Sequence, residues 1–160
     1  MRVLLLLGCC MALAGCFAPV SPTQRVADAA RELNIASRFG QTGVAIAHVD
    51  ASIRKDFLSR RSQWGRELRI ADIELAGLQI KDEDHASVLV DVAWSSNADS
   101  LLRATRLEQQ WENLPQGWKL VRERRISGDT GLFGEMIQPV DPPHPDVHLP
   151  SRTLRSPSGP

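Results

Sequence analysis

In "SPTQRVADAARELNIASRF" the apolar residues Val26, Ala29, Ala30, Leu33 and Ala36 recur at intervals of three and four, which predicts a helix with one stripe turned to a core. The next stretch, "GQTGVAIAHVD", fits a helical turn or two after Gly43 and a short strand equally well. In "ASIRKDFLSRRSQWG" the residues Ile53, Phe57 and Trp64 share a helical side, with Leu58 adjacent and Gly65 placed as a stop. A second long helix is therefore expected to end at Gly65.

From Arg66 the period changes from 3.6 to two. Val88, Val90, Val92 and Trp94 lie on one face of a strand, and Asp91 and Ser95 on the other. Before it, "LRIADIELAGLQI" is apolar at Leu68 and Ile70, then Ile73 and Leu75, then Leu78 and Ile80, so its phase slips twice. One long strand, bent or bulged at two places, has this signature. "KDED" makes the turn between these two strands, and "LLRATRLEQQWENL" and "WKLVRERRIS", separated by "PQG", complete four antiparallel segments. "GDTGLFGE" closes the domain with turn residues, and no internal repeat occurs.

The chain has 160 residues, 42% hydrophobic and 24% charged, enough for one globular domain with tails. Lys+Arg and Asp+Glu both number 19, so no overall field draws in nucleic acid or an anionic surface. Seven of the ten prolines fall in the last 22 residues, where apolar residues are too sparse to offset ordering entropy. The expected organisation is a leader over 1–15, a linker over 16–23, a folded domain over 24–136 and an extended Pro-rich tail over 137–160.

The leader carries Arg2 and then an apolar run from Val3 to Gly15, too short for a bilayer-spanning helix, which needs about 20 residues. It ends in Leu13-Ala14-Gly15-Cys16, which resembles the lipobox of bacterial lipoproteins. The resemblance implies that the Cys16 thiol receives diacylglycerol, that cleavage falls just before it, and that the new amino group is acylated. Two or more acyl chains hold a protein stably on a membrane, where one is marginal. Phe17 stands where an aspartate would commonly retain such a lipoprotein in the inner membrane, so an outer-membrane anchor facing the periplasm is implied. Cys9 and Cys10 would leave with the leader and Cys16 would be lipidated, so the mature chain has no thiol for catalysis, disulfides or zinc.

Helices followed by a meander of long bent strands, with "FLSRRSQWG" before the first strand and "TRLEQQWENLPQGWKLVRE" across the last two, resemble the nuclear transport factor 2-like superfamily, which includes ketosteroid isomerase-like and SnoaL-like proteins. The resemblance spans roughly residues 24 to 130. It implies an α+β fold in which N-terminal helices pack on a strongly curved, antiparallel four-stranded sheet. The mouth of such a cone takes a small apolar molecule or is plugged by a partner.

The chemistry of that family transfers poorly. Ketosteroid isomerase-like enzymes use an aspartate base with tyrosine and protonated-acid donors, and this chain has no tyrosine. SnoaL-like and dehydratase relatives use histidine and aspartate, which makes His48 and Asp50 weak candidates for an acid–base pair. His48 reads more simply as a partly buried histidine bonded to backbone, and His85, beside an acidic turn, as a surface residue. His144 and His148 lie in the tail without fixed ligand partners, so no metal is expected, and no cofactor either. Trp94, Trp111 and Trp118 could line a ligand pocket, Trp94 best of the three, although core packing is the simpler role. The basic clusters "IRKDFLSRRSQWGRELR" and "RERR" have Asp56, Glu67, Glu108, Glu112 and Glu123 at hand, and read as a solvated, salt-bridged surface.

The expectation is a membrane-anchored, non-catalytic envelope lipoprotein whose domain binds a small apolar ligand or an envelope protein. The alternative is a tethered periplasmic enzyme, dehydratase- or isomerase-like, acting on a small apolar substrate.

Overall fold

A computed structural model describes residues 20–138. The leader, Cys16, the Pro-rich tail from Pro139 on, and His144 and His148 lie outside the described residues. The elements run α1 (Pro22–Arg38), α2 (Thr42–Ala47), α3 (Arg54–Arg60), β1 (Leu68–Ile80), β2 (His85–Ser96), β3 (Leu102–Leu114) and β4 (Gly117–Gly128).

Both ends of α1 are written into the sequence. Ser21 is its N-cap, the hydroxyl accepting from the Gln24 backbone N–H at 3.1 Å, and Pro22 follows where a missing N–H costs nothing. At the other end Gly40 takes φ +68°, the Gln41 N–H donates to the Ala36 carbonyl at 2.8 Å, and the Gly40 N–H to that of Ser37 at 3.3 Å. That pair of bonds is a Schellman stop, which a left-handed glycine makes inexpensive. Between the caps Val26, Ala30, Leu33 and Ala36 are buried, as the spacing predicts.

The two-fold ambiguity after Gly43 resolves into both readings in succession. Thr42–Ala47 is a helix, and Val49 then forms a parallel bridge with Leu120 on the outer edge of β4. The Leu120 N–H donates to the His48 carbonyl and the Asp50 N–H to the Leu120 carbonyl, which shields part of an otherwise open strand edge. The second long helix is not formed. α3 stops at Arg60, and residues 61–64 turn so that Trp64 bridges Leu68 and its indole N–H reaches the Leu132 carbonyl at 2.9 Å. Here a tertiary bond accompanies the departure from the helical period.

The sheet is an antiparallel meander in the order β1-β2-β3-β4, with the helices packed on one face, as the sequence predicts. The β1–β2 register shifts between Ile70 and Asp72 and again between Leu75 and Gly77, the two places where the apolar phase slips. A bulge lets a strand bend without turning its apolar set outward. Ile70, Ile73, Leu75 and Leu78 accordingly all pack against the core. Val88, Val90, Val92 and Trp94 of β2 stand opposite Gln109, Leu107, Thr105 and Arg103 of β3 on the inner face.

After β4 the chain folds back over the sheet. The Asp129 N–H donates to the Ala104 carbonyl, and the Ala104 N–H to the Asp129 carboxylate. Leu132 is fully buried, and Phe133 and Ile137 pack against the same core. The Glu135 carboxylate accepts from the Gly131 and Phe133 N–H groups, which fixes the shape of this segment.

Candidate functional site

A chain of four polar side chains crosses the space between helices and sheet. Asn34 projects from α1, Gln109 from the middle of β3 and Glu123 from β4, while Arg61 follows α3. Asn34 and Gln109 pair amide to amide: Asn34 Nδ2 donates to Gln109 Oε1 at 3.2 Å, and Gln109 Nε2 donates to Asn34 Oδ1 at 3.0 Å. Gln109 Nε2 also donates to Glu123 Oε1 at 2.8 Å, and the same oxygen accepts from Arg61 Nη2 at 2.7 Å. Asn34 Nδ2 is further anchored on the Ala30 carbonyl, and Arg60 Nη1 on that of Glu123.

The ion pair at the end of this chain is buried, with side-chain exposures of 7% for Arg61 and 4% for Glu123. The Arg61 guanidinium lies 3.8 Å from the centroid of the Phe57 ring and 4.7 Å from that of Trp64, at distances where cation–π attraction holds it in place. The pair is joined by one contact instead of the two-point fork common for arginine and carboxylate. Arg61 Nε and Nη1 and Glu123 Oε2 are left without hydrogen-bond partners.

Above Arg61 a cleft of about 280 Å³ opens between the three helices. Ser37, Thr42, Phe57, Arg61, Ser62 and Trp64 are among the residues that line it. Arginine stays protonated in proteins, so Arg61 can bind and orient a partner but does not pass a proton. The arrangement is built for binding.

The tryptophans sit deeper. Trp94, Trp111 and Trp118 are all buried, in the core role that the sequence also allowed. The Trp94 indole N–H donates to Thr105 Oγ1 at 2.9 Å, and that hydroxyl donates to the Asp129 carbonyl at 2.8 Å. Trp94 thus ties the floor of the cone to the returning C-terminal segment. The Trp111 and Trp118 indole nitrogens have no partner, and Trp111 borders a hollow of about 300 Å³ at the far end of the sheet, beside Lys81, His85 and Glu112.

The structure does not bring His48 and Asp50 together. His48 Nε2 faces Glu32 Oε2 of α1 at 3.1 Å, a side-chain partner in place of the backbone bond expected. The Asp50 carboxylate accepts from the Ser52 hydroxyl and N–H, which hold its pKa below the usual carboxylate value. His85 remains exposed and bonds Asp82 at 2.7 Å, an interaction that raises the imidazole pKa. Among the described residues no group of three His, Cys, Asp or Glu side chains is placed to hold a metal ion, and no helix is long and apolar enough to cross a membrane.

The reading of the basic clusters holds in part. Asp56 pairs with Arg60, and Glu108 with Arg124, on the surface. Arg61 and Glu123 depart from it, because a register shift at Val121 turns Glu123 inward while Arg122 stays exposed. The sequence reading missed Asn34, Arg61, Gln109 and Glu123 as site residues. Gln109 had left a signal, being polar in the inward phase between Leu107 and Trp111.

No known protein family matches the chain by sequence, and no curated protein does so. Several solved structures match its fold. A ketosteroid isomerase-like protein from Erwinia carotovora atroseptica SCRI1043 aligns with a TM-score of 0.52 at 14% identity, covering 67% of this chain and 98% of that one. An NTF2-like protein from Cytophaga hutchinsonii gives 0.52 at 11% identity, covering 64% and 94%. A SEC-C motif containing protein from Rhodopseudomonas palustris gives 0.53 at 11% identity, covering 62% and 77%. The likeness is one of fold: helices laid into a bent four-stranded meander, the nuclear transport factor 2-like cone.

Proposed function

We propose that the chain is an envelope lipoprotein, anchored through Cys16 to the outer membrane on its periplasmic side, whose cone is a non-catalytic module that binds a small, largely apolar molecule. The observation that carries the binding reading is the cleft over Arg61, where a fixed cation and two aromatic rings line an opening of about 280 Å³. That is close to the lower size limit of known ligand sites, which are mainly apolar with a few fixed polar groups. The lipobox Leu13-Ala14-Gly15-Cys16 supports the anchor. The enzymatic alternative gains nothing from the geometry, since His48 and Asp50 are each engaged elsewhere.

Two measurements test the proposal. Metabolic labelling with an alkyne fatty acid in a Gram-negative host should mark the full chain, and Cys16→Ala should abolish the mark and accumulate the uncleaved precursor. A labelled Cys16→Ala chain would remove the anchor. Native mass spectrometry of residues 17–160, purified gently from periplasm, should show an added mass of small-molecule size. A bare chain at every preparation would count against ligand binding, and a co-purifying protein would favour an envelope partner instead.

A further inference from the structure

The Arg61–Glu123 pair has a direction. Glu123 lies on the sheet side, where Gln109 of β3 shares its Oε1, and Arg61 lies on the helix side, where it lines the cleft. The pair is therefore a fixed dipole whose positive end faces the opening. No acidic side chain lines that opening; Ser37, Thr42 and Ser62 add hydroxyls, and Phe57 and Trp64 add ring faces.

The guanidinium also holds unused capacity. One contact joins it to Glu123, and Nε and Nη1 remain unpartnered although the side chain is 93% buried. A buried donor left unpaired is costly, and an acceptor reaching it from the cleft, past the side chains that close it from solvent, would recover that cost. Phe57 and Trp64 hold the group in position, so little entropy is lost when it binds. Nε and Nη1 lie on different edges of the guanidinium, so a carboxylate oxygen can take one of them in a single charge-assisted bond. The rest of the cleft, flanked by rings and by the half-exposed Leu58, suits a flat apolar body.

From these observations we infer that the cleft between α1, α2 and α3 binds a small organic carboxylate with a flat apolar body, its carboxylate directed to Arg61. The inference rests on the binding reading above and narrows it to a ligand class.

The test uses residues 17–160, which contain the whole described fold, with 2-naphthoate and its uncharged methyl ester as probes. Isothermal titration should give a Kd below about 1 mM for the acid and binding about tenfold or more weaker for the ester, as expected for one charge-assisted contact. The Trp64 indole resonance should shift as 2-naphthoate is added. Replacing Arg61 risks the fold, so Ser62→Asp at the rim is the informative variant. It should weaken the acid about tenfold and the ester much less, so that the preference for the acid is lost. If acid and ester bind alike, or if Ser62→Asp moves neither, the carboxylate assignment is wrong while the cleft remains a binding site. If neither probe binds below about 1 mM, or if shifts arise away from Trp64, the inference fails. Whether the domain carries any ligand is then decided separately by the native mass measurement.

Discussion

The buried ion pair predicts a specific pattern of stability losses. Arg61 and Glu123 are 7% and 4% exposed, so removing either partner leaves a charge in the interior with nothing opposite it. Breaking such a pair costs about 3–5 kcal/mol, whereas replacing both partners with apolar residues of similar size is often neutral or stabilising. Arg61→Met keeps a flexible stem against Phe57 and removes the cation, and Glu123→Leu removes the anion. Gln109 would then lose one acceptor but keep Asn34 Oδ1, so the double variant leaves no buried charge and a single buried N–H unpaired. Each single variant should lose about 3–5 kcal/mol and the double at most about 2, a coupling of several kcal/mol. With a urea m-value of about 2 kcal/mol/M, each single substitution lowers the midpoint by about 2 M. Urea unfolding followed by tryptophan fluorescence reads all three variants, and the double stays measurable if a single variant is too unstable to purify. Additive losses, or single variants costing less than about 1 kcal/mol, would show that the pair is not the buried, mutually dependent unit described here.

Two further outcomes follow from the structure. The His85 imidazole is held above its ordinary value of 6.5, first by its hydrogen bond with Asp82 and then by the Asp82, Glu112 and Asp84 charges. Because the folded-state value is the higher one, its stabilisation is complete below the unfolded value and is lost as pH rises through the folded value. An NMR titration should place the His85 midpoint above 6.5 and Asp82→Asn should lower it; a wild-type midpoint at or below 6.5 would refute the pairing. Gly128 and Gly40 both have positive φ, +84° and +68°, but a Cβ on Gly128 would sit 2.3 Å from the Ala104 carbonyl oxygen, whereas one on Gly40 meets nothing within 4 Å. Gly40→Ala should therefore cost only the left-handed penalty of about 1–2 kcal/mol, and Gly128→Ala clearly more. Equal losses in thermal unfolding would mean that the close approach of β4 to β3 is relaxed at no cost.

The fold was legible where periodicity alone decides the outcome. The two phase slips in "LRIADIELAGLQI" mark the two bulges of β1, because a bulge is how an edge strand keeps Ile73, Leu75 and Leu78 on the core while it bends. The stretch after Gly43 reads equally as helix and as strand, and the early end of α3 was not legible. Val49 is held by the edge of β4 and Trp64 by the Leu132 carbonyl, long-range contacts that leave no trace in local spacing.

The candidate site was hidden by the same device that revealed the sheet. In β4 a strict alternation continued from Trp118 and Leu120 puts Glu123 outside, in keeping with "RERR" read as a solvated face. The bulge at Val121 inverts that phase, so one skipped residue brings a carboxylate to the inner wall beside Gln109 and leaves the arginines facing water. A buried glutamate must be answered by a cation, and of the adjacent pair at the end of α3, Arg60 remains near the surface on Asp56 while Arg61 turns inward. The bulge of β4 and the inward Arg61 thus meet in one buried ion pair. Arg61 stands one helical turn after the buried Phe57, and its guanidinium lies 3.8 Å from that ring, so it keeps the inward side that Phe57 occupies. The carboxylate half of the site depends on the irregular backbone of β4, and a reading based on regular periods passes over it.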